Sequence, residues 1–141
     1  MSRTPLEQGR AAFAYTAAMA GKELSEKSAS KAAEYKAYVE KLPMYIKSNG
    51  LGAAMAFAFA KGSSDGKPKP TRAWGLIFAQ IQEWLYHHWE LAEFDKDKTL
   101  MDNLVNLDSS EYKAATIEVL ALLNWMRRFA KGLIQKAAED E

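Results

Sequence analysis

The chain has 141 residues, no cysteine and a formal net charge of +1, with 48% hydrophobic and 26% charged residues. This length and apolar fraction suit one globular domain, 1–141, able to bury its own core. Missing thiols exclude cysteine nucleophiles, Cys-based zinc sites and disulfides, and near-neutrality argues against a protein that coats nucleic acid unaided.

No run of about 18 apolar residues suggests a membrane span, and the polar start MSRTPLEQGR lacks a signal-peptide core. A soluble, cytoplasmic protein is expected, with no membrane partner. The charge is unevenly distributed. Residues 1–61 carry nine Lys/Arg against five Asp/Glu, and residues 93–110 carry two against five. Any RNA contact is therefore expected to be local, on one face, and completed by partners.

The first helix is marked by Thr4 as cap, Pro5 at the first helical position and Glu7 closing a T-x-x-E box. It runs through the Ala-rich Arg10–Ala20 stretch to a stop at Gly21. A second helix is expected from about Glu26 to Leu42, where Pro43 breaks or kinks it by removing an amide donor. Met44–Ser48 forms a short turn, and Asn49-Gly50 reads as a left-handed stop. Leu51–Ala60 is apolar nearly all round, as in a buried or partner-facing helix, and its alanines favour helix over strand.

Gly62–Pro70 (GSSDGKPKP) reads as an exposed, flexible basic loop. A fourth helix follows from about Thr71 to Glu93, with Trp74, Ile77, Phe78, Ile81, Trp84, Leu85, His88 and Leu91 at helical spacing. After an acidic linker, a short helix spans about Leu100–Leu107. Asp108 or Ser109 caps the last helix, which reaches about Ala138 with a core stripe of Tyr112, Ala115, Val119, Leu122, Leu123, Met126, Phe129, Ala130 and Leu133. The fold class is all-α, a single-domain bundle of about five or six helices.

On the last helix, Lys113, Asn124, Arg127, Arg128, Lys131 and Gln135 fall within about 100° of one another. Such a row can follow a phosphate backbone, although on spacing alone a solvated face is the favoured account. Ile117 and Leu120 lie toward the same side and are expected in the core. Lys47, Lys61, Lys67, Lys69 and Arg72 surround the two Gly-rich breaks, where lysines give salt-sensitive contacts to single strands or simply solubility. The Asn49–Gly52 turn offers amides to a phosphate or merely stops a helix.

His88 is expected to be buried and hydrogen-bonded. Glu83, His87 and Glu90 share a helix face, but three ligands from one helix make a poor metal site, and no second histidine elsewhere supports ribonuclease chemistry. No metal, cofactor or catalytic residue is expected. Among the tryptophans, Trp89 is the choice for a protein interface, joined by Leu51 and Met55 on the small-residue helix.

Two segments resemble a known family. Glu34–Gly62 carries LP-x-x-I-x-x-NGLG-x-x-x-AF at Leu42, Pro43, Ile46, Asn49, Gly50, Leu51, Gly52, Ala56 and Phe57. Glu111–Leu133 closes in W-x-[RK]-R-FA at Trp125, Arg127, Arg128, Phe129 and Ala130. Together, in this order, they resemble the small subunit family of the Cmr (type III-B) CRISPR RNA-guided effector complex.

The resemblance implies a non-catalytic role: an inner filament of small subunits beside the backbone subunits, lining the groove that holds target RNA and guide. It favours RNA contact on the basic face of the last helix, at Arg127, Arg128, Lys131 and Lys113, with Lys47 and Lys61 added from the loop chemistry above; further copies and the backbone subunit are the implied partners, with no DNA. A helical protein–protein adaptor without RNA contact is the alternative.

Overall fold

The computed structural model describes residues 5–89 and 93–134. Among these, six helices and one short hairpin follow in the order α1 (Pro5–Lys22), α2 (Ala29–Asn49), α3 (Leu51–Gly62), β1 (Ser63–Ser64), β2 (Lys67–Pro68), α4 (Ala73–His87), α5 (Leu100–Asn106) and α6 (Ser109–Leu133). The fold is an all-α bundle. α1 and α2 both pack on α6, α3 pairs with α4, and α2 also touches α3 and α4. Side chains from all six helices join one buried apolar cluster.

Local chemistry sets most helix ends. Asp108 accepts the Glu111 amide at 2.8 Å while the Glu111 carboxylate accepts the Asp108 amide at 3.3 Å, a reciprocal capping box that starts α6. Thr99 caps α5 by accepting the Asp102 amide at 3.1 Å, and Ser28 caps α2 by accepting from Ser30 at 3.2 Å. A 3-10 turn at Glu23–Glu26 therefore occupies the place where α2 was expected to begin. Gly50, at φ +93°, ends α2 and donates its amide to the Ile46 carbonyl at 2.7 Å. The expected cap Thr4 lies outside the described residues.

Three expectations are corrected. α2 does not break at Pro43 but continues to Asn49. Val39, Leu42 and Ile46 hold one buried face across the proline, so packing outweighs the missing donor. α4 ends at His87, not near Glu93, and Leu91 lies outside the described residues. Between α3 and α4 the chain folds into an antiparallel hairpin, pairing Ser63 with Pro68 and Ser64 with Lys67. Asp65 and Gly66 take φ values of 55° and 75° at its tip, the positive-φ pair that a tight Asp-Gly turn requires. A Cβ on Gly62 would meet the Gly75 backbone, so glycine lets the end of α3 lie directly against the start of α4.

The core holds two polar devices. Glu118, in the middle of α6 and 5% exposed, accepts Arg10 Nε at 2.9 Å, Arg10 Nη2 at 2.8 Å and Trp84 Nε1 at 2.7 Å. One carboxylate thereby ties α1, α4 and α6, and its hydrogen bond raises the already high pKa of Arg10. The second device centres on Tyr35 of α2. Its hydroxyl donates to Gln80 Oε1 at 2.7 Å and lies 3.1 Å from the Ala17 carbonyl, which accepts Gln80 Nε2 at 2.9 Å. Burial pushes the Tyr35 phenol far up, the Gln80 bond opposing it only partly, so the group stays a neutral donor.

Glu118→Ala is expected to cost about 3–5 kcal/mol in urea unfolding, because it strands the Arg10 guanidinium in a mostly buried site. Tyr35→Phe should cost about 1–3 kcal/mol by leaving Gln80 Oε1 without its donor. A loss below about 1 kcal/mol for Glu118→Ala would show that Arg10 finds water or another partner.

Candidate nucleic-acid interface

Burying Glu118 fixes the rotation of α6 and therefore what its far side shows. Lys113, Asn124, Arg128 and Lys131 are all exposed along α6, with Lys113, Asn124 and Lys131 on the side away from Glu118 and Arg128 on its flank. Arg127 is half-buried and meets Glu40 of α2 through Nη1 at 3.5 Å. That long, exposed pair is weak and leaves most guanidinium donors available. Gln135, expected on the same face, lies outside the described residues.

A shallow groove of about 460 Å³ runs between α2 and α6, lined by Glu40, Pro43, Met44, Lys47, Leu120, Ala121, Asn124 and Arg127. It puts Lys47 and Arg127 in the lining of one groove, a grouping that the sequence could not show. Ile117, expected in the core, is 59% exposed. It lies one turn before Leu120 and Ala121, so the basic row carries an apolar step at its N-terminal half. Met44 across the groove is 66% exposed.

Lys61 belongs elsewhere. It lines a cleft of about 750 Å³ between α2, α3 and α4 whose floor is aromatic: Tyr38, Tyr45, Phe57 and Trp74. Tyr38 stacks on Trp74 with ring centroids 4.4 Å apart, Tyr45 on Phe57 at 5.1 Å, and Phe57 meets Trp74 edge-on at 5.3 Å. Lys41 and Lys61 lie 5.8 Å from the Tyr38 and Phe57 ring centres. Sequence reading passed over Tyr38, Lys41 and Tyr45, although their spacing (i, i+3 and i+7) places them on one side of a helix. The expected break at Pro43 hid that shared side. Of the cations expected around the Gly-rich breaks, Arg72 joins Lys61 in this cleft. Lys47 lies in the α2–α6 groove instead.

The residues expected at a protein interface are corrected. Trp89 is 2% exposed, and Leu51 and Met55 are fully buried. An apolar face seeks cover, and here the cover is this chain's own core rather than a partner. The Asn49–Gly52 turn is not an open phosphate nest, because the Gly52 amide donates to the Tyr112 hydroxyl at 2.7 Å. His88 is not buried. It stacks on Trp84 at 5.5 Å and lies 3.5 Å from Glu83, which is 3.9 Å from His87. The early end of α4 turns it out of the apolar stripe. Glu90, the third member of the weighed metal group, lies outside the described residues, and no group of three potential metal ligands occurs among those described. No described helix is long and apolar enough to cross a membrane.

Comparison with known proteins places this geometry in context. Residues 6–133 match the family model described as CRISPR-associated protein (Cas_Cmr5). A relative, the CRISPR system Cmr subunit Cmr5 of Thermus thermophilus, is 32% identical over 103 residues, which cover 73% of this chain and 77% of that protein. The matched region runs from α1 to the end of α6 and includes both motifs noted in the sequence. The chain belongs to the Cmr5 family of CRISPR-associated proteins.

Proposed function

We propose that this protein is the non-catalytic small subunit of a type III-B (Cmr) CRISPR RNA-guided effector complex. It works there beside the backbone subunits and further copies of itself, in the cytoplasm. Family membership supports the place in a Cmr complex. The observation that supports the RNA-holding role is that Lys47 and Arg127 line one α2–α6 groove, with Lys113, Arg128 and Lys131 exposed on α6. Cations spaced along one helix contact phosphate and sugar without reading bases, which suits a complex whose guide pairing supplies specificity.

The same side supports stacking of copies into an inner filament. Met44 and Ile117 are large apolar groups left largely exposed, and they replace Trp89, Leu51 and Met55 as the residues to meet a neighbouring subunit. Apolar contact at the N-terminal half of α6 then leaves its basic C-terminal half lining the RNA groove.

The Arg127→Ala, Arg128→Ala double variant, assembled into the complex, is expected to weaken target RNA binding several-fold at about 0.15 M salt and reduce the salt slope by about 1–2. Its unfolding free energy should stay within about 1 kcal/mol of wild type, since the Glu40 pair is exposed. Target affinity unchanged in value and salt slope would overturn the basic-face reading in favour of a protein-only adaptor.

A further inference from the structure

The α2–α3–α4 cleft lies apart from the α6 face and has its own chemistry. Four cations, Lys31, Lys41, Lys61 and Arg72, stand around it against a single acid, Glu34. None of the four is ion-paired among the described residues. Two are held by backbone: Lys31 donates to the Thr71 carbonyl at 3.1 Å and Arg72 to the Ser63 carbonyl at 2.9 Å. Each keeps further N–H donors for an anion.

Between these cations lie half-buried aromatic rings, Tyr38, Tyr45 and Phe57, backed by Trp74. Stacking surfaces flanked by positive charge are the combination by which proteins hold unpaired nucleotides, because every base has a π-face and every linkage a phosphate. The volume of about 750 Å³ is that of a pocket for a small organic molecule. It admits one or two unstacked bases rather than a paired helix. An apolar protein segment would fill the floor but leave four cations facing one acid, so charge complementarity favours the polyanion.

We propose that this cleft captures an unpaired base of single-stranded RNA on the Tyr38 and Tyr45 side of α2, with the flanking phosphates held by Lys41, Lys61 and Arg72. This rests on the RNA-holding reading but adds a second, strand-selective site to it. The α6 face follows any phosphate backbone. The cleft discriminates single-stranded from paired RNA, because only an unpaired base can leave its stack to enter. The Tyr38 phenol, kept protonated by burial and by Glu34, is a donor for a base carbonyl or phosphate.

The test uses the full chain with a ten-nucleotide single-stranded RNA carrying 5-iodouridine, and with the same strand in a duplex. Ultraviolet adducts should map to Tyr38, Tyr45, Phe57 or Trp74 with the single strand and vanish with the duplex. Tyr38→Leu with Tyr45→Leu should weaken single-strand binding about tenfold and leave duplex binding unchanged. Lys41→Glu with Lys61→Glu, both exposed positions, should do the same if the aromatic variant fails to fold.

Adducts confined to α6, or none at all, would overturn the cleft proposal and leave the basic-face reading standing. Cleft variants that weaken binding while the Arg127, Arg128 double variant does not would support the cleft and sink the α6 face. Protection of Tyr38 and Tyr45 from radical oxidation by the other Cmr subunits without RNA would assign the cleft to protein and overturn the proposal.

Discussion

Glu118 is a carboxylate in the middle of the helix around which the bundle is built, and a buried charge is tolerated only when its partners are already in place. Arg10 of α1 supplies two donors and Trp84 of α4 a third. These directional bonds set what apolar packing leaves loose: how far α1 slides along α6, and which way α6 is rotated. With Glu118 pointing inward, helical geometry turns Lys113, Asn124 and Lys131 outward. The basic face and the buried acid are thus two consequences of one helix rotation. Lys36 of α2 adds a tie at the far end by donating to the Ile134 carbonyl at 3.1 Å.

The second constraint is the continuity of α2. Pro43 gives no amide to the ladder, yet buried Val39, Leu42 and Ile46 keep the helix seated on the core before and after it. The unbroken helix then presents two sides at once. Glu40, Met44 and Lys47 border the groove with α6, while Tyr38, Lys41 and Tyr45 border the aromatic cleft with α3 and α4. The sharp Gly50 stop between α2 and α3, braced by the Tyr112 hydroxyl on the Gly52 amide, folds α3 back so that Phe57 and Lys61 reach that cleft. Two candidate nucleic-acid surfaces, one basic and one basic and aromatic, therefore share a single scaffold helix.

The acidic linker before α5 follows the same economy. Asn103 Oδ1 accepts the Asp95 amide at 2.7 Å, and its amide nitrogen reaches the Asp95 and Thr99 carbonyls and the Tyr86 hydroxyl. One asparagine on a seven-residue helix anchors a polar segment to α4. Burial and the nearby acids Asp95 and Asp102 hold the Tyr86 phenol protonated, with the Asn103 bond opposing them.

What the sequence by itself determined is what nearest neighbours decide. The all-α class, the Asp108 capping box, the Gly50 stop and the inward stripes of α4 and α6 all follow from periodicity and from side chains acting within a turn or two. The Asp-Gly pair at 65–66 was an equally local hairpin signal, overlooked in a stretch that otherwise reads as loop. Tertiary structure alone decided the rest. Periodicity says that Leu51, Met55 and Trp89 must be covered but not by which surface, and it assigned to a partner what the core supplies. It placed Ile117 in the core although no described element covers it. Arg10 and Glu118 are 108 positions apart, and no local rule links them. Two opposite charges on distant helices reveal their pairing only once apolar packing has brought those helices together, and only then is it settled which lysines share a groove.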